Sequence, residues 1–173
     1  MSQILPLIKR LTQTARERSG YGRQEKFFVF RFGQKYFAIP AVDVTEVAMP
    51  CSMIEIPQKS DLIMGVVNMR GVVIPVINLR QRIAVAPDYQ INDDSRMLLF
   101  SLKAGSYVGM IADDIEYRLR EGIIEPPAPG TEDIHEKSFR VAVIENQRMP
   151  VFMIDAWLEK SEIDALQNVL ESF

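Results

Sequence analysis

Residues 65–82 read GVVNMRGVVIPVINLRQR, and the fold class turns on this stretch. Two apolar runs, Val66-Val67 and residues 72–77, flank the pair Arg70-Gly71. β-Branched side chains dominate both runs, and such residues suit the pleated surface of a strand. Gly71 supplies the backbone freedom that a tight reversal needs. The stretch reads as a β-hairpin with an arginine at or beside its tip. The turn type stays open, because Arg-Gly is a weaker turn signal than Asn-Gly. Pro75 lacks a backbone donor, which places its strand at an edge or beside a bulge. Asn78 can cap a helix, and residues 79–82 continue as a short helix or turn.

Toward the N-terminus the texture is also that of strands. Residues 27–32 form a nearly continuous apolar run, 33–35 a turn, and 36–39 a returning strand. Residues 40–43 are a connector, and 44–47 alternate apolar and polar like a half-buried strand. Pro50 and Pro57 bracket a short strand at 53–56, and 61–64 read as one helical turn capped by Ser60. Ahead of these, residues 4–18 space Ile4, Leu5, Ile8, Leu11 and Ala15 as a short amphipathic helix, with 19–22 as its linker.

Toward the C-terminus, a polar spacer at 87–95 is the best internal boundary. Strands follow at 97–102 and 106–112 around a turn at 103–105. Asp113-Asp114 interrupts before a strand at 115–119, and an irregular stretch at 125–136 holds Pro126, Pro127, Pro129 and Gly130. Residues 139–144 and 150–154 make the last hairpin, turning at 145–148. A closing helix starts at Ser161, with Ile163, Leu166, Val169 and Leu170 as its apolar stripe. Residues 28–44 and 98–115 echo each other weakly, as do 74–77 and 149–152. Many short strands with Gly and Pro turns point to barrels rather than an open sheet, here two similar small ones split near 83–95.

The chain has 173 residues, 47% hydrophobic and 25% charged, with a formal charge of −3. That is one ordinary globular domain with a sizeable core, and not a generally nucleic-acid-binding surface. Residues 1–26 nevertheless carry a net +4. A single cysteine, Cys51, permits neither an intramolecular disulfide nor a cysteine metal cluster, and fits a reducing cytoplasm. No apolar run reaches the length of a membrane span, and the N-terminus lacks the basic region of a secretory signal.

Catalytic chemistry has few candidates. The one histidine, His135, lies in the Pro-rich acidic loop, and its spacing to Cys51 has no nucleophile–base logic. The doublets Asp93-Asp94, Asp113-Asp114 and Glu132-Asp133 lack the periodicity of a calcium loop, and the first two read as solvated turn residues. Gly20-Tyr21-Gly22 precedes a strand, the wrong context for a dinucleotide loop. Phe27, Phe28, Phe30, Phe32 and Phe37 read mostly as core, whereas Tyr36 and Tyr107 follow turns and can be exposed. On residues alone, the rival readings are a small β-barrel that binds single-stranded nucleic acid with a basic N-terminal arm, and, further off, a hydrolase gathering His135 with the aspartates.

The run VNMRGVVIPVINLR at 67–80 resembles the signature of the CheW family of chemotaxis coupling proteins, joining Asn68, Arg70, Gly71, Pro75 and Arg80. Asn78 stands where that family usually has Asp. The segment VDVTEV at 42–47 resembles the family's V-x-E-[IV] segment through Val44 and Glu46. The resemblance implies a mostly β fold: two five-stranded SH3-like barrel subdomains over 26–159 sharing an apolar core. An N-terminal helical extension (1–25) and a C-terminal helix (160–173) flank it. It implies a non-enzymatic, cofactor-free cytoplasmic adaptor at membrane-associated receptor arrays, with no nucleic-acid partner and no membrane insertion. Its partners would be methyl-accepting chemoreceptors and the regulatory domain of the histidine kinase CheA. The residues it implies for contact are Arg70, Gly71, Asn68, Val44, Glu46 and Arg80.

Overall fold

Alternation along the strands distributes the apolar side chains over three cores, and the strand order follows from them. The computed structural model describes residues 22–56, 61–83, 90–102, 105–126 and 140–173. The expected N-terminal helix at 4–18, the Ser60 cap, His135 and the Glu132-Asp133 doublet lie outside the described residues. The strands are β1 (Gln24–Phe32), β2 (Lys35–Pro40), β3 (Val44–Ala48), β4 (Met53–Ile54), β5 (Ile63–Met69) and β6 (Val72–Ile77). They continue with β7 (Arg96–Ser101), β8 (Tyr107–Ala112), β9 (Asp114–Ile124), β10 (Arg140–Ile144) and β11 (Gln147–Val151). Two helices close the chain, α1 (Ile154–Trp157) and α2 (Lys160–Glu171).

Two β bodies result. One is a closed barrel in the order β1-β2-β11-β10-β9; the other is a six-stranded sheet in the order β3-β7-β8-β6-β5-β4. The mostly β, two-body architecture is the expected one, but two details differ. The second body gains a sixth strand from the two-residue β4, which pairs Met53 and Ile54 with Val67 and Val66. The bodies also do not divide at 83–95. The middle of the chain forms the sheet, and the two ends meet to form the barrel, joined where Val151 pairs in parallel with Ala38. Local patterns cannot encode that closure, because its partners are far apart in sequence.

The continuous apolar runs are explained by burial on both faces. In β1, Phe27 and Val29 line the barrel interior with Ala38, Ile124, Ala142, Ile144 and Val151. Phe30 and Phe32, on the other face, enter a shared core between the two bodies. The same division holds in β7: Leu98 and Phe100 join the shared core, whereas Met97 and Leu99 line the interior of the sheet with Val67, Ile74, Val76 and Ile111. Phe152 lies fully buried at the centre, its ring 5.9 Å from Phe30, 6.2 Å from Phe100 and stacked 5.7 Å from Trp157. Leu166 and Val169 of α2 complete this core.

Local expectations meet several corrections. Residues 63 and 64 belong to β5 and not to a helical turn, because pairing of Ile63 with Ile77 overrides the local propensity. β6 is an inner strand between β5 and β8, but its pairing with β8 covers only Val76 and Ile77, so Pro75 stands just ahead of the two-sided section. The register irregularity falls across the hairpin, between Ile63 and Gly65. A Cβ on Gly65 would lie 2.5 Å from the Ile54 carbonyl oxygen, so only glycine lets β4 approach there. β9 runs to Ile124, five residues past its expected end. The last hairpin turns on Glu145 and Asn146 alone. Before α2 comes the short α1, and α2 begins at Lys160, the first residue of the expected 160–173 helix, where the Glu162 carboxylate accepts the Glu159 N–H at 2.9 Å.

Candidate protein-interaction site

The hairpin of β5 and β6 turns through two residues of positive φ, Arg70 at 55° and Gly71 at 84°. Both central residues of a type I′ hairpin turn need that conformation, and its twist matches that of the flanking strands. Nothing lies within 4 Å of a Cβ built on Gly71, so the glycine answers to backbone conformation and not to crowding. Asn68 Oδ1 accepts the Gly71 N–H at 2.9 Å and braces the turn from within. These local devices hold Arg70 at the tip, with 78% of its side chain exposed.

The guanidinium is nonetheless held. Nη1 and Nη2 of Arg70 donate to Glu46 Oε2 and Oε1 at 3.1 and 2.8 Å, a bidentate fork. Glu46 lies in β3, at one end of the six-stranded sheet, and the hairpin lies near the other end. The sheet therefore curls until its β3 end comes within side-chain reach of the hairpin tip, and the Arg70–Glu46 pair spans the gap between them. A bulge makes this possible. The register of β3 against β7 shifts between Val44 and Glu46. Val44 and Val47 pack toward the shared core. Glu46, opposite Leu99, faces the other way, toward the hairpin. Without the bulge, Val44 and Glu46 would share one face.

The structure thus brings Arg70, Gly71, Asn68 and Glu46 together on one surface. Val44 is adjacent in chain but half-buried against the shared core. Arg80 stands apart: it is 4% exposed and so is not presented to a partner. It pairs with Asp113 and lies over the Phe32 ring, 5.4 Å from its centre. The second Asp113 oxygen accepts the Gly33 N–H at 2.6 Å, so this ion pair ties the segment after β6 to the β1–β2 turn. Asp113 is therefore an interior link and not the solvated turn residue its doublet suggested. Asn78 caps no helix. It accepts the Arg80 N–H at 3.0 Å in an Asx turn ahead of a single 3-10 turn at Gln81–Ile83. Lys35 Nζ donates to the Ile83 carbonyl at 3.1 Å, and Arg82 pairs with Glu162 of α2. The Arg82 hydrogen bond holds the Glu162 carboxyl below the usual glutamate range; burial opposes the shift, and the Glu159 N–H and the charge of Arg82 assist it.

Among the described residues, no group of three or more His, Cys, Asp or Glu side chains could hold a metal ion, and no helix is long and apolar enough to cross a membrane. Phe27, Phe30, Phe32 and Phe37 are buried, and Phe28 packs against the shared core. That removes the phenylalanine run as a stacking platform for bases. Tyr36 and Tyr107 are exposed, as expected.

The model of one protein family, the CheW-like domain, matches residues 26–162. The chain belongs to this family. A chemotaxis protein CheW from Bacillus subtilis is 30% identical over 139 residues, covering 79% of this chain and 88% of the relative. A chemotaxis protein CheW from Helicobacter pylori is 24% identical over 162 residues, covering 88% and 96%. The crystal structure of the scaffolding protein TtCheW from Thermoanaerobacter tengcongensis superposes with a TM-score of 0.63 at 28% identity, covering 76% of this chain and 90% of that one. The CheW-like match begins two residues into β1 and ends in the first turn of α2, so it takes in both β bodies and excludes most of α2.

Proposed function

We propose that the chain is a non-enzymatic chemosensory adaptor that couples methyl-accepting chemoreceptors to a CheA-type histidine kinase. Family membership supports the adaptor role, since its relatives are named as chemotaxis and scaffolding proteins. The observation that carries the reading for this chain is the Arg70 fork, exposed at a braced hairpin tip and already aligned by Glu46. A forked, permanently charged donor suits a carboxylate of a partner, and one held in a single orientation loses less freedom on binding. A partner acid can share or replace Glu46 without moving the turn. Val44 reports on the adjoining β3 surface, and Arg80 acts from inside, through the Asp113 link. An adaptor alters kinase output only by binding the active and inactive arrangements with different strengths. In this proposal the adaptor works in the cytoplasm at receptor arrays.

The test is co-sedimentation of the chain with receptor-bearing membranes and the kinase regulatory domain together. We expect kinase to reach the pellet only when the chain is present. Arg70→Ala should lower that recruitment roughly tenfold, the scale of losing one charge-assisted contact. Kinase recruitment that is indifferent to the chain would end the proposal. Salt-sensitive binding of single-stranded nucleic acid, with no kinase bound, would favour the rival barrel reading.

A further inference from the structure

The interior of the six-stranded sheet is roofed by thioethers. Its buried members are Val67, Ile74, Val76, Met97, Leu99 and Ile111, and the half-buried side chains packed against them are Met53, Met64 and Met69. All three come from β4 and β5, the edge where the sheet order ends. The closed barrel, with no such edge, has one comparable methionine, Met153. Flexible thioethers fill the irregular gap left where a sheet rolls up without closing. Each also bears on the tip hairpin. Met64 falls at the register irregularity, Met53 lies against Gly65, and Met69 precedes Arg70.

We infer that Met53, Met64 and Met69 are a site of reversible oxidation by small peroxides, through which the Arg70 hairpin is loosened. The thioether sulfur attacks one peroxide oxygen and the O–O bond breaks. Sulfur is oxidised to the sulfoxide, and hydrogen peroxide is reduced to water. A sulfoxide is polar, so each modified side chain must leave the apolar interior for solvent, and the vacated space costs packing. Half-burial makes both steps feasible: part of each side chain already faces solvent, which gives peroxide an approach and the product a way out. Met97 and Met110, with no exposure, provide internal controls, and Met49, 58% exposed and absent from all three cores, provides the opposite one.

The effect on partner binding rests on the proposed adaptor function; the chemistry and the loss of stability do not. The experiment treats the full chain with hydrogen peroxide and follows each methionine by peptide mass spectrometry, alongside melting temperature and kinase recruitment. We expect Met53, Met64 and Met69 to gain oxygen roughly tenfold faster than Met97 and Met110. The melting temperature should fall in step with the three and not with Met49. The M53L/M64L/M69L variant should keep most of its melting temperature under peroxide, with the remaining loss following Met153, whereas M49L should confer no protection. If the triple variant folds poorly, the single variants M53L, M64L and M69L should each give part of the protection. A methionine sulfoxide reductase should restore the wild type. Equal rates at Met97 and the three rim positions, or full rim oxidation with no change in melting temperature, would overturn the inference. Untreated protein that recruits no kinase would sink the adaptor reading and leave the oxidation result standing.

Discussion

Replacing Gly71 with alanine isolates what the hairpin tip demands of its backbone. The position has φ of 84°, and an added Cβ meets nothing within 4 Å. Steric crowding therefore contributes nothing, and the cost is that of holding an L-residue in the left-handed region, about 1–2 kcal/mol. Alanine also restricts the unfolded chain, which returns about 0.4–1 kcal/mol. The balance is a loss of about 1 kcal/mol, or roughly 2–4 °C in melting temperature for a chain of this length. Asparagine tolerates the same conformation better, so Gly71→Asn should lose less than Gly71→Ala. Gly65→Ala is the contrasting case, since its Cβ would press on the Ile54 carbonyl oxygen at 2.5 Å and on Met53 Cγ at 2.8 Å. Backbone must shift there, and the loss should be about 1–3 kcal/mol. Urea unfolding at constant m-value measures all three. A neutral Gly71→Ala, or a Gly71→Asn worse than it, would refute the positive-φ turn and with it the means of presenting Arg70.

Two further outcomes follow from the interior links. Arg80→Met should destabilise by about 3–5 kcal/mol, because it strands the Asp113 charge inside, and R80M/D113N should recover part of that loss while still giving the Gly33 N–H an acceptor; denaturant titration checks both, and a loss under about 1 kcal/mol would contradict the buried link. The Glu162 carboxyl is held below its ordinary range by Arg82, so its folded value lies under its unfolded one. Its stabilisation is complete above the unfolded value and fades as pH falls through the folded one. Glu162→Gln should cost at most about 1 kcal/mol at neutral pH, since the pair is partly exposed, and the gap to wild type should close in acid, as thermal melts across pH would show.

The hairpin was legible because its signal is local: β-branched runs, one glycine, and an arginine between them. The shared core was half legible, since a run such as residues 27–32, apolar but for Arg31, already implies burial on both faces. The interleaving was not legible. Closure of the barrel depends on Val151 meeting Ala38, and no residue near either announces the other. The weak internal echo instead suggested a split in chain order. Arg80 was misplaced for a related reason. Its motif marks it beside Arg70, but its surroundings differ. Leu79 and Ile83 are apolar neighbours that signal burial, and the acidic doublet at 113–114 supplies the compensating charge. The Glu46 contact needed the bulge at Thr45, which the alternating pattern of β3 conceals.

In the proposed adaptor, Arg70 acts on partners from outside a fold that it does not hold together. The most direct measurement is kinase autophosphorylation in arrays reconstituted from receptor, kinase and either wild-type chain or Arg70→Ala, with melting temperature recorded on the same preparations. The exposed pair with Glu46 should add less than about 1 kcal/mol to stability, so the variant should melt within a few degrees of wild type. Receptor control of the kinase should be lost in it. Full control by a well-folded Arg70→Ala protein would contradict the claim, as would loss of control that merely tracks loss of folded protein.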